Sequence, residues 1–165
     1  MLKPPQDTRA ALGGEKGIRV EESIRIDRPV EDLYRFWRDL SELPRFMSHL
    51  ERVDELGGNR SHWVAKGPAG MRVEWDAEII NEVPNKVIGW RSLPESELVT
   101  AGSVTFDPTP DGTGTRLTVH LQYAPPAGAI GKAIAQLFGA KPSQAIGDDL
   151  KRLKTLLETG APITL

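Results

Sequence analysis

The chain has 165 residues, a net charge of −2 and no cysteine. The length fits one domain, the near-neutral charge gives no electrostatic basis for binding nucleic acid, and the lack of cysteine excludes disulfides, thiol nucleophiles and zinc–thiolate sites. No apolar run approaches the roughly 18 residues of a membrane span, and the N-terminus lacks the layout of a signal peptide. We therefore expect a cytoplasmic protein with no integral membrane segment.

The N-terminal part predicts a tail, a strand and two short helices. Residues 1–16 show no hydrophobic periodicity and are interpreted as a flexible tail. A strand is predicted from Gly17 to Asp27. After Pro29, an apolar stripe at helical spacing predicts a first helix. That stripe consists of Val30, Leu33, Tyr34 and Trp37.

The second helix is predicted to be very short. Ser41 is its expected N-cap, Pro44 lies in its first turn, and Phe46 and Met47 close it. Together the two helices are rich in aromatic residues.

The middle of the chain predicts strands joined by short turns. Residues 71–80 alternate most clearly, with an apolar face that includes Trp75 and a charged face that holds Glu74, Asp76 and Glu78. Strands at this spacing favour one antiparallel meander. The other strands are predicted at 50–56, 61–66, 86–93, 99–107 and 116–123.

The C-terminal part predicts helix again. Residues 128–140 are small and apolar, and we interpret them as a lid over a cavity mouth, with membrane contact or a partner surface as alternatives. A longer helix follows, with Ser143 as a possible cap, and it ends before a tail at 161–165. Its predicted buried stripe is Ile146, Leu150, Leu153 and Leu157, whereas Asp148, Asp149, Lys151, Arg152 and Lys154 are assigned mostly to the other faces.

One apolar helix stripe and one apolar sheet face predict an α+β fold in which a strongly curved antiparallel sheet of six to seven strands wraps around the long C-terminal helix. Because a curved sheet cannot contact a straight helix along its whole length, the space between them is an internal cavity. The two short helices after the first strand are placed to close one end of it.

The element order and two stretches of sequence resemble the polyketide cyclase/dehydrase branch of the SRPBCC (START-like) superfamily. The stretches are RPVEDLYRFWRDLSELPRFM, and VIGWRS followed by AGSVTFDPTPDGTGTRLTVHLQY. The resemblance spans roughly residues 17–160 and implies a single helix-grip domain. This superfamily includes hydrophobic-ligand carriers as well as aromatase/cyclases. The resemblance therefore implies a ligand-binding cavity but does not specify a reaction.

We expect no metal site, no cofactor and no catalytic constellation. The three histidines lie on separate predicted elements without metal-ligand spacing, and the carboxylates at 74, 76 and 78 point away from the cavity. Arg91 and Glu82 are the two charged residues that could turn inward near the cavity mouth, where an arginine would orient a ligand carbonyl or carboxylate. The candidate ligand-binding residues are Tyr34, Trp37, Phe46, Met47, Trp63, Trp75, Trp90, Arg91, Phe106, Tyr123, Ile146 and Leu150.

The leading hypothesis is a binder or carrier of a hydrophobic small molecule such as a lipid, a quinone or a polyketide-like aromatic. One alternative is a cyclase/dehydrase-type enzyme that uses the same cavity, with Tyr34, Arg91, Ser103 and Tyr123 as its polar groups. The other alternative is a protein-interaction module. The sequence leaves the choice between monomer and dimer open.

Overall fold

A computed structural model describes residues 18–66, 70–96, 98–124 and 142–160. The predicted tails and the predicted lid helix at 128–140 lie outside these residues. The described elements are β1 (Ile18–Ile26), α1 (Val30–Arg38), a 3₁₀ helix (Leu40–Arg45), β2 (Leu50–Gly57), β3 (Arg60–Lys66), β4 (Arg72–Val83), β5 (Val87–Ser92), β6 (Val99–Pro108), β7 (Thr115–Ala124) and α2 (Pro142–Thr159).

The seven strands form one antiparallel sheet in the order β1-β7-β6-β5-β4-β3-β2. The predicted meander is therefore confirmed for β2 to β7, and β1 joins it beside the last strand. Register shifts interrupt the pairing of β2 with β3 and of β4 with β5, and such bulges bend and twist a sheet. The two edges of this curved sheet are β1 and β2, so residues 27–49 connect one edge to the other.

The two short helices lie in that connection. Leu33 and Trp37 of α1 and Leu40 and Leu43 of the 3₁₀ helix are at most 4% exposed, and burying each side chain contributes about 1.5–3 kcal/mol. The predicted cap of the second helix is wrong. Asp39 occupies the N-cap position and Ser41 lies inside the helix, where its hydroxyl donates a hydrogen bond of 2.6 Å to Asp39 Oδ1.

Helix α2 packs its apolar stripe against the concave face of the sheet, as the helix-grip arrangement requires. Ile146, Leu150 and Leu153 are buried, as predicted, and Leu157 is half-buried and packs against the same core. Leu156, which was not predicted, is buried as well. The described part of α2 already includes Pro142, so Ser143 lies inside the helix and is not its cap.

Polar contacts at the C-terminal end of α2 hold it against the end of β1. Lys154 Nζ donates to the carbonyl of Arg25 at 2.8 Å, and Glu158 Oε2 accepts from the backbone amide of Asp27 at 2.7 Å. The helix ends at Thr159, and Gly160 follows with a φ of +67°, which suits a residue without a Cβ. The opposite end of α2 is therefore the end that leaves space beneath it.

Candidate functional site

An apolar cavity of about 60 Å³ lies between the sheet and the N-terminal half of α2. Residues from the loop before β2, from six strands, from the β5–β6 connection and from α2 surround it, and most of their side chains are apolar. The described lining consists of Met47, His49, Leu50, Trp63, Trp75, Trp90, Leu98, Thr100, Val119, Leu121, Tyr123 and Ile146.

Three tryptophans on adjacent strands form one wall of this cavity. Trp63 and Trp75 lie directly opposite each other on β3 and β4, with ring centroids 5.9 Å apart and an interplanar angle of 21°. Trp90 of β5 lies 6.4 Å from Trp63 at the same angle. The indole N–H of Trp63 donates to Ser61 Oγ at 2.8 Å, which satisfies its one polar atom. The wall is therefore a set of nearly parallel aromatic rings.

The position of the Trp90 ring depends on the residue opposite it. Trp90 pairs with Gly102 on β6, and a Cβ atom added to Gly102 would lie 2.6 Å from Trp90 Cζ2 and 2.9 Å from Trp90 Cε2. Both distances are far below van der Waals contact. Glycine at position 102 therefore lets the indole lie close against the sheet and leaves the space above it to the cavity.

The polar residues among the described lining are His49, Thr100 and Tyr123. The Thr100 hydroxyl donates to the carbonyl of Gln122 at 3.1 Å, and burial raises the pKa of the Tyr123 phenol. His49 is almost enclosed, with 17% of its side chain exposed. Burial and then the positive charge of Arg152 lower its pKa to about 4, so the imidazole is neutral at physiological pH.

Behind His49 lies a carboxylate that the sequence assigned to a polar face. Asp149 of α2 is 2% exposed, and its Oδ2 lies 3.7 Å from His49 Nδ1. Its Oδ1 accepts from the Arg152 guanidinium and, at 3.5 Å, from the Ser48 amide. Burial raises the pKa of Asp149 to about 6, and the charge and hydrogen bond of Arg152 oppose that shift. Arg152 also donates to the carbonyl of Phe46 at 3.0 Å, so this cluster attaches α2 to the loop that carries His49.

The candidate ligand-binding residues separate into three groups. Met47, Trp63, Trp75, Trp90, Tyr123 and Ile146 line the cavity. Trp37, Phe46, Phe106 and Leu150 lie in the core behind it, each no more than 2% exposed. Tyr34 and Arg91 lie outside the lining.

Tyr34 and Arg91 both contact carboxylates. Tyr34 donates to Glu82, and Arg38 donates to the same carboxylate at 2.9 Å. Burial and the Glu82 hydrogen bond raise the pKa of Tyr34 to about 12. Arg91 donates to Glu78 Oε1 at 3.1 Å and therefore points to the outer face of the sheet, not inward as expected.

The outer face of the sheet also holds His62. Its ring nitrogens lie 2.6 Å from Asp76 Oδ1 and 3.0 Å from Glu74 Oε1, and these hydrogen bonds raise its pKa. The carboxylates at 74 and 76 thus lie away from the cavity, as the alternation of β4 predicts. No set of three histidine, aspartate or glutamate side chains suits a metal ion within the described segments.

Six lining residues were missing from the sequence-based set. Thr100, Val119 and Leu121 follow the inward parity of β6 and β7, so alternation alone could have found them. His49, Leu50 and Leu98 lie at or outside strand ends, where no periodic signal applies.

A curved antiparallel sheet that wraps one helix around an apolar cavity defines a helix-grip protein of the α+β class. The chain belongs to the "polyketide cyclase / dehydrase and lipid transport" family, whose sequence profile matches residues 26–151. It is 31% identical over 140 residues to a 17.2 kDa protein of the melC2–rnhH intergenic region of Streptomyces lincolnensis, covering 85% of this chain and 89% of that protein.

Two solved structures show the same fold. DR_A0006 from Deinococcus radiodurans is 38% identical, with a TM-score of 0.71 over 87% of this chain and 100% of that chain. The Zhui aromatase/cyclase from Streptomyces sp. R1128 is 17% identical, with a TM-score of 0.66 over 88% of this chain and 99% of that chain. No helix within the described residues combines the length and hydropathy that a membrane crossing requires.

Proposed function

We propose that the protein binds a planar hydrophobic small molecule in the cavity between the sheet and α2, and carries it without converting it. The observation that carries this proposal is the wall of three nearly parallel indole rings, Trp63, Trp75 and Trp90. Aromatic faces favour offset stacking with another flat ring by about 0.5–1.5 kcal/mol beyond area burial. Membership of a family described by lipid transport as well as cyclisation supports a hydrophobic ligand.

The cavity volume sets the size of what the described walls enclose. About 60 Å³ corresponds to a few water-sized volumes, or roughly one six-membered ring. Burying on the order of 200 Å² of apolar ring surface yields about 5 kcal/mol, and association costs reduce the affinity for one ring to the millimolar range. A larger natural ligand would gain further affinity by extending beyond these walls.

Binding of a single planar ring can be tested with the four tryptophan indole N–H groups as reporters. Anisole is titrated into ¹⁵N-labelled protein, with methoxycyclohexane as the matched non-planar control. We expect the indole signals of Trp63, Trp75 and Trp90 to shift with a common millimolar dissociation constant, and the signal of Trp37 to shift least. Equal shifts with both compounds, or no shifts at all, would contradict the proposal.

The cyclase/dehydrase alternative keeps a physical basis because His49 and Tyr123, two ionisable side chains, line the cavity. Tyr34 and Arg91 do not support this alternative, because they contact Glu82 and Glu78 outside the cavity. Incubating the protein with a linear poly-β-ketone thioester tests it. Accumulation of a cyclised product faster with the wild type than with both His49→Leu and Tyr123→Phe would favour the enzyme, and equal rates for all three proteins would exclude both residues as its machinery.

A further inference from the structure

Strand β1 carries one charged residue on the face that it turns toward α2. The other inward positions of the strand are apolar: Val20 and Ile26 are at most 5% exposed, and Ile24 packs against the core. Glu22 lies between Val20 and Ile24 in this row and is half-buried. A charge on the core side of a strand breaks the alternation that the rest of β1 follows, and such exceptions are expected at functional sites.

Helix α2 has an exception of its own at the point that faces Glu22. Gly147 lies inside this helix, where glycine is the least favourable residue after proline. A Cβ atom added to Gly147 would lie 3.9 Å from Glu22 Oε2, and no other atom of the described strands or loops lies within 4 Å of that position. The lack of a side chain at position 147 therefore leaves space between α2 and β1 beside the Glu22 carboxylate.

This space adjoins the apolar cavity. Glu22 pairs with Val119 of β7, and Gly147 directly follows Ile146. Val119 and Ile146 both line the cavity. Because neighbouring strands lie about 4.8 Å apart, a group attached by a two-carbon chain to a ring in the cavity reaches the Glu22 carboxylate.

The Glu22 carboxylate has no hydrogen-bond or ion-pair partner in the part of the chain that the structure describes, in contrast to the charges near it. On α2, Asp149 is paired with Arg152, and Asp148 Oδ1 lies 4.0 Å from Lys151 Nζ. A partly desolvated carboxylate without a counter-ion favours a cation that also donates hydrogen bonds.

We infer that Glu22 is a specificity-determining residue of this site, and that it binds a protonated amine carried on a short chain by the ring in the cavity. The inference rests on the proposed function and adds the chemical class of ligand, which is an aromatic ammonium compound rather than a neutral or anionic one. Glu22 lies outside the apolar lining, so the ring occupies the cavity and the ammonium group lies between β1 and α2.

Phenethylamine and phenethyl alcohol make a matched pair of probes for this inference, since they differ only in an ammonium or a hydroxyl group at the end of the same chain. Their dissociation constants are measured at pH 7 by the indole N–H titration for the wild type, for Glu22→Gln and for Glu21→Gln. The last variant removes the same charge from the outer face of β1, where Glu21 lies 3.9 Å from His120. We expect the preference for the amine over the alcohol to fall at least about threefold in Glu22→Gln and to stay at the wild-type value in Glu21→Gln.

A second measurement uses the unmodified protein, so it applies even if Glu22→Gln fails to fold. The side-chain carboxyl carbons of the glutamates are followed by NMR in ¹³C-labelled protein. We expect phenethylamine to shift the Glu22 signal, phenethyl alcohol to leave it near its position in the free protein, and neither compound to shift the Glu21 signal.

The outcomes separate this inference from the proposed function. The inference would be overturned by a wild type without a preference for the amine, by a preference that survives Glu22→Gln or falls equally in Glu21→Gln, or by a Glu22 carboxyl signal that does not move. In each of these cases anisole binding still upholds the proposed function. Failure of the amine, the alcohol and anisole to bind would overturn both.

Discussion

Replacing Gly102 with alanine should force Trp90 into the cavity. The added Cβ would lie 2.6 Å from Trp90 Cζ2 and 3.0 Å from the carbonyl oxygen of His120 on the neighbouring strand. Ordinary contact begins near 3.4 Å, so the indole has to retreat by about 0.8 Å. The sheet backbone fixes one side of the new methyl group, and the free space lies on the cavity side. The ring therefore moves toward the space that anisole would occupy.

The expected cost follows from overpacking in an ordered core, which is typically 1–3 kcal/mol. A loss of about 2 kcal/mol lowers the melting temperature of a domain of this size by roughly 4–8 °C. Anisole affinity should fall at least severalfold because the cavity volume is only about 60 Å³. Thermal unfolding followed by circular dichroism and the indole N–H titration measure the two effects.

Two further variants control for this interpretation. Gly147→Ala adds a Cβ whose nearest neighbour is Glu22 Oε2 at 3.9 Å, so it should stabilise α2 by up to about 1 kcal/mol through helix propensity. In Gly102→Ala/Trp90→Phe, the smaller ring removes the clashing atoms, so the double variant should be more stable than the sum of the single effects. Additive losses in the double variant, or full anisole affinity in Gly102→Ala, would refute the proposed role of Gly102.

Three other predictions concern ionisable groups. His62→Gln should destabilise the protein below pH 6.5, the ordinary pKa of histidine. The folded state raises the pKa of His62, so this residue stabilises the fold at low pH, and the contribution is lost as pH rises through the pKa of the folded state. Equal differences in unfolding free energy between wild type and variant at pH 6 and pH 9 would contradict this prediction. For Asp149, burial raises the pKa from 3.8 to about 6, so its contribution to the unfolding free energy falls as pH rises through that window. Asp149→Asn should abolish that part of the pH dependence in urea unfolding, and an unchanged slope would refute the assignment. Tyr34→Phe should cost about 1 kcal/mol through loss of the Glu82 hydrogen bond and leave anisole binding unchanged; a loss of binding would place Tyr34 in the site after all.

Much of the cavity wall follows from residue parity in the strands. Trp63, Trp75 and Trp90 each lie on the apolar side of an alternating segment, and the meander brings those sides together. Parity cannot distinguish a side chain that lines a cavity from one that fills the core beside it. Trp37 belongs to the second group because it packs against Phe46, with ring centroids 5.3 Å apart.

Sequence patterns did not predict the positions of His49 and Asp149. His49 lies in a loop, and Asp149 occupies a helix position where a charge normally faces water. The ion pair with Arg152, three residues further along α2, and the hydrogen bond from the Ser48 amide compensate for its burial. The capping prediction also failed at Ser41, which lies inside the 3₁₀ helix while Asp39 occupies the N-cap position.

The placement of β1 next to β7 affects how the chain reaches its folded state. Ile26 and Thr115, the paired residues of these strands that are closest in sequence, are 89 positions apart. At roughly 5–20 residues per second of synthesis, β1 waits about 5–20 s for β7, its partner strand. Contacts of such long sequence separation favour folding in about milliseconds to seconds once synthesis is complete. During synthesis the β1 edge of the sheet therefore stays unpaired until β7 has been made.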